Sequence, residues 1–94
     1  MTQRMGSDVN KILFIRKNGD EVRIFPLRCV RVMTEESPGV SLHLVRARLR
    51  CMLADSEIPG SRKQSKEIVN RAIEYGLVRL TADGRLYPVQ KEES

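Results

Sequence analysis

The stretch from Ile58 to Val89, IPGSRKQSKEIVNRAIEYGLVRLTADGRLYPV, decides how this chain is read. Pro59-Gly60 breaks whatever element precedes it. From Arg62 to Tyr75 the apolar residues Ile68, Val69, Ala72 and Ile73 recur at helical spacing, which predicts an amphipathic helix. Ser61 followed by Gln64 has the pattern of a capping box. Gly76 stands where a left-handed C-cap is expected. Two short apolar runs, Leu77–Leu80 and Arg85–Val89, then flank Ala82-Asp83-Gly84, the composition of a hairpin turn.

Upstream, Ser41–Ala54 carries two periodicities. Val45 to Cys51 alternates apolar residues with arginine, as a strand does, while Leu42, Val45, Leu49, Met52 and Leu53 form a helical stripe. Length, helix-favouring composition and a capping Ser41 select the helix, with the strand over residues 41–53 left as the alternative. The helix sets His43, Arg46 and Arg50 on one side, with Arg48 pointing elsewhere. Thr34–Gly39 reads as a loop, and Leu27–Met33 as a short strand in which Val30 and Val32 alternate with Arg31. In Lys11–Phe25, Asn18-Gly19 predicts a type I′ hairpin turn. That turn pairs Arg16 with Glu21, Ile15 with Val22 and Leu13 with Ile24. It sends Leu13, Ile15, Val22 and Ile24 to the core and opposes the charges of Arg16 and Glu21. Pro26 ends the second strand.

The fold class expected is therefore α+β: an N-terminal hairpin with an optional third strand, two helices and a C-terminal hairpin. The 94 residues suffice for one domain, placed at residues 11–90, with residues 1–10 and 91–94 as disordered ends. Such a chain buries roughly 60–65% of its unfolded surface, so the core is thin. With two Phe, two Tyr and no Trp, it must rest on aliphatic side chains. Seventeen Lys and Arg against twelve Asp and Glu give a net charge of +5, which points to polyanionic partners, with a merely solvated surface as the plain alternative. Cys29 and Cys51 lie in apolar stretches and read as small buried thiols. One His, no CxxC and no second ligand cluster leave nothing to hold a metal or cofactor. No apolar run approaches the ~20 residues of a membrane span, and the opening segment has no signal-peptide core, so the expectation is a cytoplasmic protein.

The order Ser61-Arg62-Lys63, Ile68-Val69-x-Arg71-Ala72, Gly76-Leu77-Val78 and Asp83-Gly84 resembles the end of a winged-helix domain of the helix-turn-helix superfamily. There a recognition helix opens after a short turn with basic residues and passes through a glycine step into a hairpin wing. The resemblance covers about a third of the chain. The sequence reading offers two helices where that superfamily has three, and it adds the hairpin Lys11–Phe25, so the expectation is a variant, with a different α+β fold that ends the same way as the alternative. The resemblance implies that Arg62, Lys63, Lys66 and Asn70 face nucleic acid, with Arg79 and Arg85 in the wing. Arg46 and Arg50 join them as candidate phosphate contacts from the charge pattern.

The functional expectation is a small nucleic-acid-binding regulator, with duplex DNA ahead of structured RNA. The alternative is a protein-interaction module or homodimer that uses the N-terminal hairpin. In that reading Ile12, Phe14 and Phe25 oppose the core face and need a cover. An enzyme is not expected: His43 has no partner dyad, and no Gly-rich phosphate loop or nucleophile–base set is present.

Overall fold

The computed structural model describes residues 12–89. The sequence-expected ends, residues 1–10 and 91–94, lie outside the described residues. Strands β1 (Ile12–Ile15) and β2 (Glu21–Ile24) form the N-terminal hairpin. Its register differs by one residue from expectation: Ile12 pairs with Ile24, Phe14 with Val22 and Ile15 with Glu21. A type I′ turn needs positive φ at both Asn18 and Gly19, but within the turn only Gly19 has it, at +95°. The Asn18 side chain instead accepts a hydrogen bond from the Asp20 N–H at 3.0 Å. The Arg16 N–H donates to the Asp20 carbonyl at 2.8 Å, which closes a three-residue loop. Because side chains alternate, this slip exchanges the two faces of β1. Phe14 is buried (6% exposed), whereas Leu13 (47%) and Ile15 (49%) face outward. Val22 and Ile24 keep their core-facing role, joined by Ile12. Glu21 now lies opposite Ile15, and Arg16 forms no ion pair with it.

The expected third strand at Leu27–Met33 is a helix, α1 (Pro26–Glu36), so the described residues hold three helices rather than two. Pro26 at its start needs no N–H partner and presets φ. Leu27, Val30 and Thr34 are buried at the 3–4 residue spacing of a helix, while Val32 is exposed. The Val30/Val32 alternation that favours a strand is thus split between two environments. Thr34 lies in this helix and not in a loop. Its hydroxyl donates to the Arg31 carbonyl at 2.7 Å, which satisfies a fully buried polar atom. Arg31 in turn binds Glu35 at 2.8 Å and the Leu77 carbonyl at 3.2 Å, tying α1 to the C-terminal hairpin.

After α1 comes β3 (Val40–Ser41), two residues long and not foreseen from sequence. Helix α2 (Leu42–Asp55) follows at once, capped by Ser41, whose Oγ accepts from the Leu44 N–H at 3.1 Å. The helix reading of this segment therefore holds, and Val45, Leu49 and Leu53 are its buried stripe. Helix α3 (Ser61–Glu74) has Gly60 as its N-cap. Ser61 is already the first helical residue, so the expected capping box does not form. The Gln64 N–H meets the Gly60 carbonyl instead. At the other end Gly76 takes the expected left-handed conformation, with φ of +76°, and its N–H bonds to the Ile73 carbonyl while the Leu77 N–H bonds to that of Ala72, a Schellman pattern.

Strands β4 (Val78–Leu80) and β5 (Arg85–Pro88) are the last elements of the described residues and flank Ala82-Asp83-Gly84. The second sheet has the order β3-β5-β4, all antiparallel. The core joins Leu27 and Val30 of α1, Leu49 of α2, Ile68 of α3 and Val78 and Leu86 of the sheet, all essentially inaccessible. No helix among the described residues is long and apolar enough to cross a membrane.

Candidate nucleic-acid interface

Helix α3 is the most basic exposed element of the C-terminal half. It buries Ser65, Ile68, Val69 and Ala72, so its opposite side is turned to solvent. The Ser65 hydroxyl would be stranded there but donates to the Arg62 carbonyl at 2.8 Å. Arg62, Lys66 and Asn70 follow one another at i, i+4 and i+8, and Lys63 lies beside Lys66 and Asn70 on the same exposed surface. Glu67 and Glu74 border this row. Among the described residues the ion pairs are Arg31–Glu35 and Arg85–Asp83, so neither carboxylate pairs with a cation of the row, and Glu67 forms no ion pair with Arg71 four residues on. The N-terminus of α3 has no side-chain cap, leaving its first amides and the positive end of the helix dipole beside Arg62 and Lys63.

The structure divides the remaining candidates between two other places. On α2, Arg50 is exposed, while Arg46 is half-buried with its Nε inaccessible and without a hydrogen-bond partner among the described residues. Much of Arg46 is therefore stem packed on the protein. His43 lies on the same flank, exposed.

Arg79 and Arg85 belong to the outer face of the three-stranded sheet. Pairing sets Arg79 opposite Tyr87 and Arg85 opposite Ser41, whereas Val78 and Leu86 point inward. The Arg79 guanidinium lies over the Tyr87 ring, 5.0 Å from its centroid. Arg85 donates to the Gly39 carbonyl at 2.8 Å and approaches Asp83 at 3.5 Å. It therefore ties the turn before β3 to the hairpin. The Thr81 hydroxyl bound to Asp83, helped by Arg85, holds that carboxyl below its ordinary range. Of the two arginines of this hairpin, Arg79 has the freer polar edge.

Sequence reasoning missed Tyr87 as the partner of the candidate residue Arg79 because the four aromatics look scattered. The signal was present: Arg79 and Tyr87 are equidistant from Asp83 at the hairpin centre, which makes them cross-strand partners. The two cysteines also depart from expectation, since Cys51 is exposed and Cys29 only half-buried, both as free thiols. No group of three or more His, Cys, Asp or Glu side chains among the described residues is placed to share a metal ion. Comparison of the chain with protein-family models, with curated proteins and with solved structures gives no match.

Proposed function

We propose that this protein is a nucleic-acid-binding module of winged-helix type, with α3 as the helix that enters a groove of duplex DNA and β4–β5 as the wing. The observation that carries the reading is the unpaired exposed row Arg62, Lys63, Lys66 and Asn70 on a helix that passes through Gly76 directly into a hairpin. The element order α1-β3-α2-α3-β4-β5 adds support, because α1 supplies the third helix that the resemblance requires. In this role Arg62, Lys63 and Lys66 neutralise phosphates and release condensed counterions. Asn70 reads an adenine edge through its amide. Arg79, stacked on Tyr87, approaches the backbone from the wing, and Arg50 extends the cationic surface on α2. Structured RNA is the second substrate class, since the phosphate chemistry is shared.

The test is fluorescence anisotropy with a random-sequence DNA duplex between about 50 and about 200 mM salt, with an RNA hairpin alongside. Joint replacement of Arg62, Lys63 and Lys66 by Ala is expected to make the slope of log K against log salt shallower by about 2.7, at ~0.9 for each phosphate no longer neutralised. An unchanged slope removes α3 from the interface.

A further inference from the structure

On the N-terminal side of the molecule, α1, α2 and the end of β2 enclose an open groove of about 1020 Å³. Its floor is Phe25, Cys29, Val32, Met33, Cys51 and Met52. Phe25 is 44% and Val32 41% exposed, and together with the neighbouring lining they make a contiguous apolar patch that no other described residue covers. The surface is soft as well as apolar: two methionines line it, and the Cys29 thiol lies 3.9 Å from the Met52 sulfur. Thioether side chains adapt to varied apolar partners, a property of surfaces that receive helices.

Charge decides which partner fits. Arg23, Arg28 and Arg48 stand around the groove against one carboxylate, Asp55. None of the three arginines takes part in the ion pairs found among the described residues. An apolar floor with a cationic rim is complementary to an amphipathic helix that is apolar on one side and acidic on its flanks. Nucleic acid would use the rim but not the floor, because bases need aromatic faces to stack on and Phe25 is the only one in the lining. A second copy of this net-positive chain would set like charges against the rim.

We propose that this groove is a docking site for an acidic amphipathic helix of a partner protein. None of the eight residues assigned to nucleic acid lines it, so the inference stands independently of that reading. The protein would then hold a polyanion on one surface and an acidic protein segment on another, as an adaptor does.

A helical probe of about 15 residues, with Leu at i, i+3, i+4 and i+7 spacing, Glu flanking that stripe and Ala elsewhere, tests this on the full chain. Its partner control keeps the leucines and replaces every Glu by Lys. The Glu peptide is expected to bind saturably and to protect Cys51, which is exposed in the groove, from alkylation by iodoacetamide. The double variant Arg28→Glu/Arg48→Glu is expected to weaken the peptide at least about tenfold while leaving the duplex salt slope unchanged. Val32→Asp, at an exposed position, supplies a second variant that should weaken the same peptide. Each variant's melting temperature confirms that it folds. Equal affinity for the Lys peptide, displacement of the Glu peptide by duplex, or a dimer in sedimentation with Cys51 already protected overturns the proposal. So does full affinity in Val32→Asp.

Discussion

Gly39 and Cys29 show how single residues are constrained. Gly39 has φ of +86°, and a Cβ there would stand 3.1 Å from the Tyr87 hydroxyl. Gly84 has a similar φ of +81° but open space around it. Left-handed backbone costs a non-glycine residue about 1–2 kcal/mol. Urea unfolding should therefore show Gly39→Ala destabilised by more than Gly84→Ala, the excess reporting the crowding against Tyr87. A smaller loss at Gly39 would mean that the Tyr87 ring moves away freely. For Cys29, burial pushes the thiol pKa up, because an anion is disfavoured beside Met52 and the apolar groove floor. The folded state then holds its proton more tightly than the unfolded chain. This contribution is fully present below the unfolded pKa of roughly 8.5 and is lost as pH rises through that value toward the folded one. Unfolding of the parent and of Cys29→Ser, compared between pH 7 and pH 10 (about the range over which a thiol titrates), should show an alkaline loss in the parent that the variant lacks.

The N-terminal hairpin makes the same case for elements. Its two possible registers bury different residues, and the difference is measurable. With Phe14 inward, Phe14→Ala should cost about 3–5 kcal/mol. Leu13→Ala, on the outward face, should stay within about 0.5 kcal/mol. The register expected from Asn18-Gly19 alone reverses that order. Ile12 and Phe14 face inward together, and because the aromatic ring is the largest of the four side chains this pair buries more apolar area than Leu13 and Ile15 would on a two-stranded ribbon that covers one side of the core. The tip of the hairpin is also held from outside, since the Lys17 N–H donates to the Glu57 carbonyl in the loop before α3 at 3.0 Å. Helix α1 follows the same logic. Its neighbours α2, α3 and the sheet bury Leu27, Val30 and Thr34, a set no strand could present on one side.

At the scale of the whole molecule, two surfaces with different chemistry share one small core. Cations on the outer side of α3 face solvent, away from its buried Ile68, Val69 and Ala72, whereas the groove between α1 and α2 sets cations around apolar side chains. The first surface suits a hydrated phosphate backbone, and the second suits a partner that brings its own apolar stripe. Because they share no residue, the Arg62/Lys63/Lys66 triple alanine variant should change the salt slope on duplex and leave the affinity for the acidic peptide unaltered. The groove variants should do the reverse. Arg48 is the informative residue here. It sits in sequence between Arg46 and Arg50, yet it lines the groove while they do not.

Local chemistry was sufficient to place the breaks and most elements. Asn18-Gly19, Pro26, Pro59-Gly60, Gly76 and Asp83-Gly84 all punctuate the chain where the sequence reading puts them, and Ser41 caps the helix it is expected to cap. These are preferences of a few adjacent residues, and they act whatever lies beyond. The basic exposed row of α3 was legible for the same reason, since helical spacing alone puts Ile68 and Ala72 on one side and Lys63 and Asn70 on the other. The inward face of the first hairpin, the helix at Leu27–Met33, the two-residue strand at Val40, the partner of Arg79 and the groove itself were decided only by tertiary packing. Each depends on which surface comes to lie against which, and that is set by the area buried between residues far apart in the chain.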